Sequence, residues 1–156
     1  MIDVLFEQHV IQNTGLAAET IWYNAKGRAE GVPLALVFLV LPLAFHQRTA
    51  SMLASKTQPG ALYKALGEDR EIRVGLQARM QAMAERTFHA LSIGFQTKLL
   101  IMDSDSTRQL VPGRRTPPVT HQTEQVKTIL SAAKRVGQGF AEMSVVQIAA
   151  NLGVRF

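Results

Sequence analysis

Residue types able to do chemistry are few in this 156-residue chain, and they are scattered. There is no cysteine. That excludes disulfides, thiolate zinc sites, iron–sulfur ligation and a cysteine nucleophile, and it suits a reducing cytoplasm. The four histidines, His9, His46, His89 and His121, lie on separate segments with no H-E-x-x-H or H-x-x-x-H pairing to set two ligands on one helix face. Asp103-Ser104-Asp105 opens like a calcium loop, but its sixth position is Arg108 rather than glycine and its twelfth is Arg114 rather than glutamate, so it reads as a turn. Gly137-Gln138-Gly139 lacks the third glycine and the preceding strand of a dinucleotide site. No nucleophile elbow and no phosphate-binding loop motif occurs. The expectation is a chain with no catalytic, cofactor-binding or metal-binding residues.

Charge and apolar bulk remain. Lys and Arg number 17 against 12 Asp and Glu, a net charge of +5 that attracts anionic partners without specifying one. The densest basic region is Arg114, Arg115, Lys127, Lys134 and Arg135, in which the seven-residue interval from Lys127 to Lys134 puts two cations on one helix face. These five are candidate DNA contacts, able to neutralise a few phosphates. No aromatics interleave with them, so stacking on single strands is not indicated. Trp22, Tyr23, Phe45 and Phe156, with His46 and Arg48 beside Phe45, are candidate partner-interface residues, because large aromatics dominate interface energetics. Each aromatic is also an ordinary core residue by type, and His46 an ordinary polar tether for a helix end.

The elements that must position these residues read as one domain over 1–156, since a chain of this length buries about 68–70% of its unfolded surface and so supports one core. The longest apolar run, Val32 to Phe45, is broken by Pro42 and falls short of the ~18 residues a membrane span needs. Asp3 and Glu7 replace the basic segment of a secretory signal, so no membrane partner is expected. The stretch Ile2 to Val10 has no clear period. Asn13 or Thr14 caps a helix running to about Arg28, ended by Gly31 and Pro33. Leu34 to Leu41, continuously apolar with Val37 and Val40, reads as a strand buried on both faces or a buried helical turn, with length favouring the strand, and Pro42 sits in the first turn of a helix Leu43 to Ala54. Thr57 to Gly60 is a turn, followed by a short helix Ala61 to Leu66.

A long helix then begins at Glu68 or Asp69, with Ile72, Leu76, Met80, Met83, Ala84, Phe88, Leu91 and Phe95 in one stripe. Lys98 to Val111 has hairpin chemistry around a polar turn at 103–106, and 112–118 is a basic, proline-stiffened linker. Thr120 caps a second amphipathic helix with the stripe Val126, Ile129, Leu130, Ala133, Val136 and Phe140. In the last helix Ser144 and Gln147 make a capping box, Met143 staples onto Ile148 and Gly153 is the stop. The segment Ser144 to Val154 also looks like the first half of a helix-turn-helix, but only Arg155 and Phe156 follow where a reading helix would have to stand.

Three stretches resemble, in order across most of the chain, the middle components of bacterial three-component ABC systems. The first is Asn13-Thr14-Gly15-Leu16-Ala17-Ala18 leading into Ile21-Trp22. The second is Leu41-Pro42-Leu43-Ala44-Phe45-His46 with Arg48. The third runs from Ala132-Ala133-Lys134-Arg135-Val136-Gly137 through Phe140-Ala141 to Leu152-Gly153-Val154-Arg155. That resemblance implies a non-catalytic subunit joining an SMC-like or RecF-like ABC ATPase to a third, effector component, nuclease-like or other, in defence against phage or plasmids, Lamassu-type systems included.

The fold expected is α+β, mainly α: helices packed on a small antiparallel sheet made of the Leu34 to Leu41 strand and the β-hairpin, winged-helix-like in arrangement. The function expected is an accessory subunit with an ABC ATPase, an effector and double-stranded DNA as partners. A stand-alone winged-helix-like DNA-binding regulator is the alternative. A hydrolase or nuclease would need a metal-dependent activity for which these residues give no reason.

Overall fold

The computed structural model describes residues 13–56, 58–104, 108–117 and 123–156. The aperiodic stretch Ile2 to Val10, His9, His121, the Thr120 cap and the Asp105–Ser106 part of the polar turn lie outside the described residues. Asn13 caps α1 (Thr14–Gly27) as expected: its Oδ1 accepts the Leu16 N–H at 2.9 Å, which satisfies one of the orphan donors of the first turn. The helix buries Leu16, Ala17, Ala18, Ile21, Trp22 and Ala25.

The run after it corrects the expected strand. Leu34 to Leu41 is not extended: it belongs to α2 (Leu34–Ala44), capped by Pro33. A helix that is apolar all round belongs in a core, and α2 packs against α1, α3, α6 and α7. Uniform apolarity fits a buried strand and a buried helix equally; packed among four other helices, the run forms an eleven-residue helix. Pro42 is accordingly not at a helix start. It stands near the end of α2, where its ring costs one hydrogen bond to Phe38, and the helix stops two residues later with Phe45 N–H donating to the Leu41 carbonyl. The expected helix Leu43 to Ala54 is thereby split, and α3 (Gln47–Ser55) leaves at 103° to α2. Among the described residues no single helix is long and apolar enough to cross a membrane.

Pro59 and Gly60, expected in a turn, are the first residues of α4 (Pro59–Glu68), since proline suits a first turn whose N–H groups have no helical acceptor. The long helix is also two pieces. A short α5 (Arg70–Arg73) is followed by Gly75 at φ +77°, which breaks the helix and opens α6 (Leu76–Gln96). Of the expected stripe, Leu76, Met80, Met83 and Leu91 are buried, whereas Phe88 and Phe95 face solvent.

The hairpin forms as expected, with β1 (Leu100–Met102) antiparallel to β2 (Leu110–Pro112) and Ile101 opposite Val111. The place expected for a third strand holds a single bridge. Val32 exchanges both backbone hydrogen bonds with Leu110, at 2.8 and 2.9 Å, before the chain enters α2. The helix α7 (Glu124–Gly139) is capped by Thr123, whose side chain accepts from Val126 N–H at 3.2 Å. The last helix, α8 (Val145–Leu152), has the full Ser144–Gln147 capping box, and Gly153 ends it in the left-handed conformation at φ +67°. The result is a mainly helical α+β fold with a two-stranded antiparallel sheet, its core shared by α1, α2, α6 and α7.

Candidate functional site

Two places in the structure concentrate unusual geometry, and one of them is internal. Along the crossing of α1 and α7 the backbones touch: a Cβ on Gly27 would lie 2.3 Å from the Lys134 carbonyl oxygen, and one on Gly137 2.2 Å from that of Asn24. Only glycine permits such an approach. The approach lets Asn24 Nδ2 donate to the Ala133 carbonyl at 3.0 Å, and it lets Arg28 cross the end of α7 to donate through Nη1 to the Phe140 carbonyl at 2.5 Å and through Nη2 to Met143 at 3.2 Å. A cation at a helix C-terminus meets both unpaired carbonyls and the negative end of the dipole. Burial pushes the Arg28 pKa down, with the charge of Glu30 opposing the shift. Asn24 and Arg28 are not signalled by the sequence, because a polar residue on an apolar helix face looks the same whether its partner is water or a distant carbonyl. Ala133 and Gly137 therefore serve the α1–α7 contact, and the Lys134 side chain between them is exposed.

The candidate interface residues separate by burial. Trp22 and Phe45 are core: Trp22 stands edge-on to Tyr23 at 5.0 Å with Lys26 Nζ 5.8 Å from its ring, and neither Trp22 nor Phe45 offers a side chain to a partner while the core is intact. Tyr23 is partly buried against the same core. His46 Nδ1 lies 2.7 Å from Thr49 Oγ1 at the start of α3, the polar tether its type suggested. Arg48 pairs with Glu71, both side chains largely exposed, a bond of little energetic worth. Phe156 alone of the four aromatics remains 48% exposed.

The basic residues lie on two elements. Arg114 and Arg115 are exposed just after β2; Lys127 and Lys134 are exposed on α7, Lys127 paired with Glu124 at 3.2 Å; Arg135 is partly buried. The hairpin packs on α1 and α6, while α7 packs on α1 to α4.

The second unusual place is Phe156's neighbourhood. A trough of about 440 Å³ runs between α2 and α6, walled by Leu34 and Phe38 on one side, Gln77, Met80 and Ala84 on the other, and closed at one end by Phe156. Phe38 meets Phe88 edge-to-face at 5.0 Å, which extends the apolar surface along α6. Leu34 is 44% and Phe88 60% exposed, high values for side chains of this size sitting together. Gln77 holds the residue before Phe156: its Oε1 accepts Arg155 N–H at 2.7 Å and its Nε2 donates to the Arg155 carbonyl at 3.2 Å. Arg155 is the trough's one charged lining residue. A wider depression of about 630 Å³ beside α4, α7 and α8 carries, among the described residues, one titratable side chain, Glu142, and so no acid–base pair among them. Among the described residues no group of histidine and carboxylate side chains has the geometry to hold a metal ion.

Residues 7–156 match the model of the family described as ABC-three component (ABC-3C) system Middle Component 3. The chain belongs to that family. No curated protein and no solved structure matches it. In this Middle Component 3 chain the described lining of the trough is apolar apart from Gln77, Gln81 and Arg155. Leu34, Phe38, Phe88 and the Gln77–Arg155 pairing escape sequence inspection. The available signal is that α6's apolar stripe, with Phe88 and Phe95 included, is wider than one buried face requires.

Proposed function

We propose that this chain works as a single domain over residues 1–156, in the cytoplasm, as a non-catalytic accessory subunit that links an SMC-like or RecF-like ABC ATPase to an effector component in defence against phage or plasmids. The observation that carries this reading is membership of the Middle Component 3 family, whose systems have several components. The open apolar trough between α2 and α6 supports it, because surface of that kind is suited to burial against another chain. Contact with double-stranded DNA through Arg114, Arg115, Lys127, Lys134 and Arg135 is part of the same reading, made within the assembly rather than by this chain alone. Co-expression with the ATPase and effector encoded beside it, followed by light scattering on a sizing column, tests the assignment. One particle containing all three chains is expected. Elution of this chain at its own 17.2 kDa, apart from the other two, overturns it.

A stand-alone, winged-helix-like DNA-binding regulator is the second reading, favoured by α6 running almost directly into the β1–β2 hairpin in the order of a helix and its wing. It requires the purified chain to bind duplex DNA unaided, with sequence preference and with affinity that falls as salt rises. Charge reversal at Arg114, Arg115, Lys134 and Arg135 weakens any DNA contact in either reading; unchanged affinity removes those four from it.

A further inference from the structure

We infer that the α2–α6 trough receives an amphipathic helix of another component, one that presents bulky apolar side chains to Leu34, Phe38, Phe88 and Phe156 and a carboxylate to Arg155. The inference rests on the accessory-subunit reading and specifies where and by what chemistry the partner is held. Both walls of the trough are helices, and neither presents a strand edge. An extended segment would find no ladder to join there, whereas a helix can seat its ridge between two others. The α6 wall from Gln77 to Phe88 spans eleven residues, ~16 Å or three turns of a docked helix.

Charge selects among helices. Among the described residues the trough is lined by Arg155 with no carboxylate, on a chain of net charge +5. An acidic partner gains at Arg155 and is steered toward the molecule; a basic one is repelled. The same argument disfavours a second copy of this chain, because a two-fold pairing through the trough sets the Arg155 side chains of two cationic molecules against one apolar seam. The Gln77–Arg155 hydrogen bonds hold the backbone at the trough's end before any partner arrives, so the site needs little reorganisation.

The test uses the full-length chain co-expressed with the ATPase and effector encoded beside it, with the photoreactive residue p-benzoylphenylalanine in place of Phe88. Irradiation is expected to attach it to a segment of another component in which apolar residues recur at three and four positions and Asp or Glu flanks them. Arg155→Glu is expected to weaken assembly at least tenfold, and reversal of the facing carboxylate to lysine to restore it. Phe88→Asp is expected to do the same as Arg155→Glu; because Phe88 is already largely exposed, its melting temperature checks that the fold survives. Val146→Asp, on α8 and 77% exposed, serves as the control and leaves assembly unchanged. Attachment to a second copy, attachment to a basic or non-periodic segment, or assembly indifferent to both trough variants overturns the docking site while the accessory role stands. Failure of the unaltered chain to assemble at all overturns both.

Discussion

Arg28 and Glu19 have surroundings that shift their protonation, and both report on burial. Arg28 is the more informative, because its guanidinium ties the Phe140 carbonyl at the end of α7 and the Met143 carbonyl just before α8 to α1. Arg28→Ala removes both bonds, leaving the Phe140 carbonyl with the Met143 N–H alone, at an expected cost of about 1–3 kcal/mol. Urea denaturation measures it; an unchanged midpoint would contradict the role given to Arg28. Glu19 is partly buried on α1, and loss of water raises its pKa above the usual carboxylate value. A carboxyl whose folded pKa is raised holds its proton more tightly folded than unfolded. Its stabilising contribution is therefore complete below the unfolded pKa and is lost as pH rises through the folded one. Glu19→Gln, neutral throughout, should melt higher than the parent at pH 7, and the gain should shrink as pH falls toward 4. A gain that grew on acidification would reverse that sign. At this scale the sequence was legible at the helix caps, Asn13 and the Ser144–Gln147 box, since a cap needs only its own next three residues. It was silent on Arg28 and Asn24, whose partners lie more than a hundred residues away.

Elements obey the same division between local and distant causes. The hairpin and α7 could be foreseen from period and turn chemistry. The buried run Leu34–Ala44 could not, because with every side chain apolar the period vanishes and only three-dimensional packing separates strand from helix. Thr120 was the wrong cap for α7 by three residues, a distance over which Thr123 offers identical chemistry. The α1–α7 crossing yields a paired test. Gly137→Ala places a methyl within 2.2 Å of a backbone oxygen and should destabilise by about 1–3 kcal/mol as the helices separate. Gly60→Ala, in helical α4 with nothing within 4 Å, should instead stabilise slightly, by about 0.5 kcal/mol. Equal effects from the two, read in the same denaturation series, would remove close approach as the reason for glycine at 137.

For the molecule as a whole, the distribution of apolar surface matters more than any single residue. Its core is filled by α1, α2, α6 and α7, and two of the aromatics first singled out as anchors, Trp22 and Phe45, were used to build it. The surplus lies elsewhere, along the α2–α6 trough with Phe88 and Phe156, where sequence inspection caught only Phe156. Exposure depends on which face the neighbouring helices cover, and composition carries no record of that. Hydroxyl-radical footprinting of the chain, free and assembled with the other components of its ABC-3C system, measures this surplus side chain by side chain. Oxidation of Phe88 and Phe156 is expected to fall at least fivefold on assembly while Val146 is unaffected. Phe88 and Phe156 oxidised equally in both states would mean that no partner covers the trough.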